Sequence, residues 1–387
     1  MINLTTADRV LKDVYLSAVC EQMNKKVHPF FAAIDKGAHT LDGKRAVVPL
    51  RYGLKGSLTS TTELGELPSP SQNLFFRAVV DLANIYGTLE ISDKAIRVSQ
   101  NSEGSFVNLL NYEMDTLLES AKFNFSRMLW QNGNGVVGVV RTTNASSVVT
   151  VNVHNTASFR EGLVLDLLTS TGTIKKAGML VVGVDRTDRV ITFSPGNGVA
   201  VTEGDIFTIQ GSHGKELLGI PYLFDSTLQD FYGNPRSVCS AILPFQRNGN
   251  RMLGTNLMQT MVDAIEEAVE TAPNMVLTGF DIRRKYLIEM NEKRTNVDYM
   301  VLDGGFHAMS YNGIPIIADR FCTETAMFFL NTDDFKLMEL CDWEWIEGDN
   351  GRVLMQIPNK PAYTATLVKY ANLICVRPHA QAKLFNL

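Results

Sequence analysis

The chain has 387 residues, of which 45% are hydrophobic and 20% charged. That is the balance of a globular protein with room for two or three domains, not of a disordered tail. A formal charge of −5 argues against a dedicated nucleic-acid binder, which carries a basic stripe, but not against a protein that encloses nucleic acid. The cysteines Cys20, Cys239, Cys322, Cys341 and Cys375 are far apart and odd in number, so they read as free thiols in a reducing compartment. Asp8, Arg9, Lys12 and Asp13 interrupt the N-terminal apolar residues, which fits neither a signal peptide nor an anchor. No apolar run reaches membrane-spanning length. The expectation is a protein made and folded in cytoplasm.

Residues 5–24 predict an amphipathic helix, with Val10, Leu11, Val14, Tyr15, Ala18 and Val19 at helical spacing. Thr5 and Asp8 resemble a capping box, and His28-Pro29 breaks the pattern. Residues 46–52 and 74–82 are strand-like. Between them lies a polar stretch rich in Gly, Ser, Thr and Pro. The pair reads as a long two-stranded ribbon with a flexible polar end. A lone hairpin is marginal in water, so such an arm is expected to lie on something else, most simply a neighbouring copy.

Residues 84–92 predict a strand, and 105–131 the longest helical pattern of the chain. Phe106, Leu109, Leu110, Met114, Leu117, Leu118, Ala121, Phe125, Met128 and Leu129 share one broad face. Asn132-Gly133 is its stop signal. The span is long against a typical helix of about 11–12 residues. From 136 to 211 short strands alternate with Gly, Asn, Asp and Thr turns, which predicts a small all-β barrel or sandwich inserted into a larger domain. Helices are expected at 253–271 and from Asp281, with a short buried strand at 275–278 between them. The stretch 311–340 reads as three strands in a row, at 314–318, 326–330 and 335–340. A last long strand is expected at 363–376.

Chemistry-bearing motifs are missing from this sequence. None of the six histidines, His28, His39, His154, His213, His307 and His379, lies three or four residues from another, so no helical metal pair exists. There is no HExxH, GxSxG, Walker loop or GxGxxG. The glycines of 133–138 follow a helix where a phosphate cradle precedes one. Asp342, Glu344, Glu347 and Asp349 alternate with Trp343, Trp345 and Ile346, which suits one solvated strand face, and their spacing matches no calcium loop. No catalytic, metal or cofactor residue is assigned, and nothing argues positively for an enzyme.

The order of these elements resembles the major capsid proteins of tailed bacteriophages, the fold named after phage Hong Kong 97. The resemblance rests on the ribbon, the strand and very long helix after it, and pieces such as "YNGIPIIAD", "MFFLN" and "FKLMEL". It covers most of the chain except 136–211. It implies an α+β capsid fold with an N-terminal arm (1–45), an extended β-ribbon loop (46–82) and a peripheral domain with a spine helix (83–132 and 343–387). An inserted β-barrel-like module (133–213) and an axial domain (214–342) complete it. The implied function is a structural, non-enzymatic subunit that self-assembles through hexamers and pentamers into an icosahedral shell around double-stranded DNA, without sequence-specific binding. Implied partners are scaffolding, portal and decoration proteins; no membrane and no cofactor is implied. The virion is the implied location, with assembly in the host cytoplasm. Arg51, Lys55, Glu63 and Glu66 of the extended loop become intersubunit contact candidates. Some relatives join a ribbon lysine to an asparagine of a neighbour. Lys55, Asn359 and Asn372 are too ordinary in type to imply that reaction, and cross-linking is not expected. The alternatives are an encapsulin-type bacterial compartment shell and, in a different class, an enzyme of unknown type.

Overall fold

The computed structural model describes residues 29–37, 41–42, 45–52, 56–72, 74–95, 103–196, 198–237, 242–292, 299–302, 306–347 and 353–387. The helix expected at 5–24, Lys55 and Asp349 lie outside them. The rest forms a mixed α+β structure built on three apolar cores.

The ribbon is present. Strands Arg45–Tyr52 and Leu74–Asp81 pair antiparallel in register from Arg45↔Asp81 to Tyr52↔Leu74. One face is packed for most of the ladder: Ala46, Leu50, Ala78 and Val80 are buried in the main core, with Val48 and Phe76 against it, whereas Leu74 and Phe75 near the far end are exposed. This is the half-buried alternation of a sheet with one covered face.

A five-stranded sheet is centred on the long strand Ala362–Cys375. Ala83–Ser92 pairs antiparallel along it, while Phe335–Trp345 and Met355–Gln356 pair with it elsewhere. Asp35–Gly37 extends the sheet in parallel beyond Phe335–Trp345. The long helix Glu103–Met128 packs on this sheet. Its 26 residues at ~1.5 Å rise make a rod of about 39 Å. Met114, Leu118, Phe125 and Met128 are buried. Phe125 stacks on Phe31 with ring centroids 4.6 Å apart and meets Trp343 edge-on at 6.1 Å. Helix and strand lie close together at Gly87, where a Cβ would stand 3.0 Å from Leu117 Cδ1. As expected, Trp343 and Trp345 point into the core while Asp342 and Glu344 face out.

A seven-stranded sheet forms the second body. Its order is Phe245–Asn248, Ala382–Phe385, Ala326–Leu330, Met275–Thr278, Ile314–Ala318, Phe306–Tyr311 and Tyr299–Leu302. The two-residue period splits its side chains between two cores. Val276, Ile316, Met327 and Phe329 face the helices Thr255–Val269 and Phe280–Glu292, against Met258, Met261, Ile265, Ile282 and Tyr286. Met275, Leu277, Phe328 and Leu330 face the main core.

The strands of 311–340 occur where expected, but they are not one sheet. Met275–Thr278 lies between Ile314–Ala318 and Ala326–Leu330, parallel to the first and antiparallel to the second. The third strand, Phe335–Trp345, crosses to the five-stranded sheet. The tail makes the reverse move: Ala382–Phe385 inserts between Phe245–Asn248 and Ala326–Leu330. The sheets therefore do not follow the expected division at 342/343. The crossover is held at Asp334, whose carboxylate accepts from Arg377 Nε at 2.5 Å and Gln381 Nε2 at 3.2 Å.

The expected β module is a closed barrel. Val136–Val139, Ile206–Ile209, Val164–Leu168, Ile174–Asp185, Val190–Phe193 and Thr150–Asn152 follow one another in hydrogen-bonded order. The Val140↔Val153 bridge then joins last to first, with His154 N donating to Val139 O at 3.0 Å and Arg141 N to Asn152 O at 2.9 Å. Phe159, Leu165, Leu167, Met179, Ile191, Phe193 and Phe207 fill it as a core of its own. Turns follow the strands that end at Asp185 and Val201.

Candidate assembly surface

The ribbon begins as a braced hairpin. At its base Arg45 Nε donates to Asp81 Oδ1 at 2.7 Å. Val79 N donates to Tyr232 O at 3.0 Å, and Asn234 Nδ2 to Arg77 O at 2.9 Å, so the small hairpin around 230–235 buttresses one strand. Beyond Leu74 this support ends. Segment 56–72 has no ladder, only a turn closed by Gly65 N donating to Thr62 O at 2.9 Å and Ser57 and Ser71 hydroxyls 3.4 Å apart. Leu58, Leu64 and Leu67 are 93%, 98% and 87% exposed. Three nearly bare leucines on one short loop are what an isolated subunit avoids and a contact surface needs.

Two of the four expected contact residues can be placed by side chain. Glu63 and Glu66 are exposed on this tip. Arg51 lies on the strand Arg45–Tyr52, opposite Phe75 in register, and Lys55 lies outside the described residues. Of the asparagines weighed for cross-linking, Asn372 is committed internally. Its Oδ1 accepts from Leu218 N at 2.8 Å and Leu373 N at 2.9 Å, and its Nδ2 donates to Asp81 O at 2.7 Å.

A second surface, which no sequence motif marked, lies where the barrel meets the body. Two adjoining clefts of about 650 and 310 Å³ share Asp319 and Arg320. Arg320 sits over the rings of Phe123 and Phe321, 5.4 and 5.1 Å from their centroids. Arg160, from the barrel, lies over the same Phe123 ring at 4.8 Å. Burial lowers the Arg320 pKa, Arg160 and Arg186 lower it further by like charge, and Asp319 opposes them. Cation–ring contacts hold these guanidiniums without neutralising them. Among the described residues no carboxylate forms an ion pair with Arg160, Arg186 or Arg320. The neighbouring arginines are satisfied: Arg284 pairs with Asp281, and Arg189 with Glu324 at 3.4 Å. Among the described residues there is no group of three or more potential metal ligands, and no helix is long and apolar enough to cross a membrane.

No family model matches the chain, and no curated protein matches its sequence. Solved structures do match. The capsid asymmetric unit of cyanophage A-1(L) aligns over 93% of this chain and 92% of the other, at 13% identity and a TM-score of 0.53. The fold is that of a phage capsid subunit. The holo-SrpI encapsulin complex from Synechococcus elongatus PCC 7942 aligns over 94% of this chain and 89% of the other, at 9% identity and a TM-score of 0.46. The satellite phage P4 procapsid with its size determination protein aligns over 96% and 90%, at 10% identity and a TM-score of 0.45.

Proposed function

We propose that this chain is the major capsid protein of a tailed bacteriophage, a structural subunit whose copies close into an icosahedral shell around double-stranded DNA. A fold alone does not decide function, so the reading is carried by the ribbon tip. Its leucines are almost fully exposed on a hairpin whose base is tightly anchored, which is unfavourable in a free monomer and sensible where every copy has a neighbour. The capsid fold supplies the setting.

In this reading the ribbon is the extended loop of a Hong Kong 97-type subunit and Glu103–Met128 the spine helix. The five-stranded sheet forms the peripheral domain and the seven-stranded sheet the axial domain. The barrel stands on the outer surface. Arg51, Lys55, Glu63 and Glu66 belong to intersubunit contacts. Hexamers and pentamers form in the host cytoplasm with separate scaffolding and portal proteins, and the virion takes up a decoration protein. Modest contacts suffice, because closure and multivalency multiply them. The subunit performs no catalysis.

Electron microscopy of the purified chain, with an assay for nuclease-protected DNA in native particles, tests this. Closed shells, and native particles containing double-stranded DNA, are expected. A protein that stays monomeric at high concentration overturns the shell reading. Native shells that hold a protein cargo and no DNA replace it with an encapsulin-type compartment.

A further inference from the structure

The exposed ribbon tip is acidic, and the smaller cleft carries an excess of positive charge, Lys122, Arg160 and Arg320 against Glu119 and Asp319. Segment 56–72 contains Glu63 and Glu66 and no lysine or arginine. The cleft holds Arg160, Arg186 and Arg320 without a paired carboxylate among the described residues. We propose that this cleft is the receptor for the acidic ribbon tip of a second copy of the chain. The inference rests on the reading above that the ribbon reaches a neighbour, and it names the site that receives it.

Both chemistries of the tip find a match in the cleft. A guanidinium presents a fork of donors suited to a carboxylate, and two such forks stand over one ring at 4.8 and 5.4 Å. Their mutual repulsion makes the empty cleft costly and an incoming carboxylate correspondingly welcome. Glu63 sits inside the Thr62–Gly65 turn and Glu66 directly after it. The leucines beside them need an apolar surface. Phe123 and Phe321, half-buried and in edge contact at 5.3 Å, line the same cleft.

A phosphodiester backbone is the competing occupant, and the lining disfavours it. Asp281, Asp319 and Glu324 stand in the larger cleft beside Arg186, Arg284 and Arg320. With Glu119 in the smaller cleft, these carboxylates are spaced among the arginines, so a run of adjacent phosphates meets like charge at several points, whereas one or two separate carboxylates can reach Arg160 and Arg320 without doing so. A phosphate chain also leaves the aromatic edges and the exposed leucines without a role.

Charge exchange tests the assignment. Arg160→Glu with Arg320→Glu, and separately Glu63→Arg with Glu66→Arg, should each cut the yield of closed particles at least about tenfold, since one close charge pair is commonly worth that much. The four-substitution variant, which restores opposite charges across the contact, should recover particles. As an independent measure, a photo-crosslinking residue in place of Leu67 should attach to peptides containing Arg160, Phe123 or Arg320 of another copy. Recovery together with that attachment supports the receptor. Arginine variants that assemble normally, while deletion of 57–71 abolishes shells, overturn the receptor and leave the ribbon reading standing. Shells that survive the deletion overturn both. Arginine variants that assemble but release DNA, or a crosslink mapped elsewhere, assign the cleft to another partner and overturn the proposal.

Discussion

Arg127 and Glu216 join the end of the long helix to the segment leaving the barrel. Both side chains are fully buried, and Nη1 and Nη2 donate to Oε2 and Oε1 at 3.0 and 2.5 Å. Removing one partner strands a buried charge, and such losses cost about 3–5 kcal/mol. Arg127→Met should destabilise the unassembled subunit by that order in urea unfolding, and adding Glu216→Leu should recover most of it. A neutral single variant would show that water reaches this pair. His379 gives a pH signature. Burial, and secondarily Arg377, holds its imidazole below the usual 6.5, and its Nδ1 is buried with no partner. The unfolded chain therefore binds the proton first. Stability is intact above about 6.5 and falls as pH drops toward the lower folded value. Asp334, whose carboxyl burial pushes up, acts with the opposite sign, because the folded form takes its proton first. It is common to both proteins when His379→Gln is compared with the parent. The urea midpoint of His379→Gln should lose less between about pH 7 and 5 than that of the parent. Equal losses would mean that His379 does not titrate differently on folding.

The long helix and the ribbon are the two elements whose roles separate most cleanly, one buried at Met114, Leu118, Phe125 and Met128 and the other exposed from Leu74 and Phe75 to its tip leucines. Leu118 is 6% exposed on the core face of the helix. Leu118→Asp should cost more than the about 2–5 kcal/mol of a truncation to alanine, because a charge is buried unpaired. The expected result is insoluble or molten subunit, and soluble, assembled protein would show that the buried face is misassigned. The ribbon should behave in the opposite way. Ser57 and Ser71 already approach each other, so deleting 57–71 with a two-glycine closure should leave the thermal transition within a few degrees of the parent, as surface changes do. Closed particles should disappear in electron micrographs. These elements were legible in the sequence because their signals are local: helical period, strand alternation and turn residues. The sheet partners were not. Phe335–Trp345 and Ala382–Phe385 are apolar strands next to each sheet's expected members, and only distant pairing partners decide where each inserts. Glu63 and Glu66 were readable as a polar tip. The arginine cleft was not, because Arg160, Arg186 and Arg320 come from separate segments and meet only in the fold.

At the scale of the whole molecule, the barrel is joined to the body by a narrow neck and a few surface contacts. Its inlet and outlet run side by side: Asn132 bridges Leu218, and Gly214 N donates to Asn134 O at 3.0 Å. Gly135 fits there because of its positive φ of 75° and because a Cβ would lie 2.8 Å from Ser212 O, so only glycine allows the two chains to pass so closely. The barrel's core shares no buried residue with the other two. Its side-chain ties to the body include the half-exposed Arg189–Glu324 pair and Arg160 over Phe123, and exposed pairs contribute little. Insertions at such necks are tolerated because little backbone pairing crosses them. Joining Gly135 to Ser212 through a short Gly-Ser linker, with 136–211 removed, should therefore leave a subunit that unfolds cooperatively and keeps the Arg127–Glu216 pair. The excised barrel should fold alone, seen as a dispersed amide NMR spectrum. Because Arg160 and Arg186 leave with it, the shortened subunit should also lose closed shells if the cleft receives the ribbon. A shortened subunit that fails to fold, even in high salt and at low temperature, would mean that the barrel supports the body.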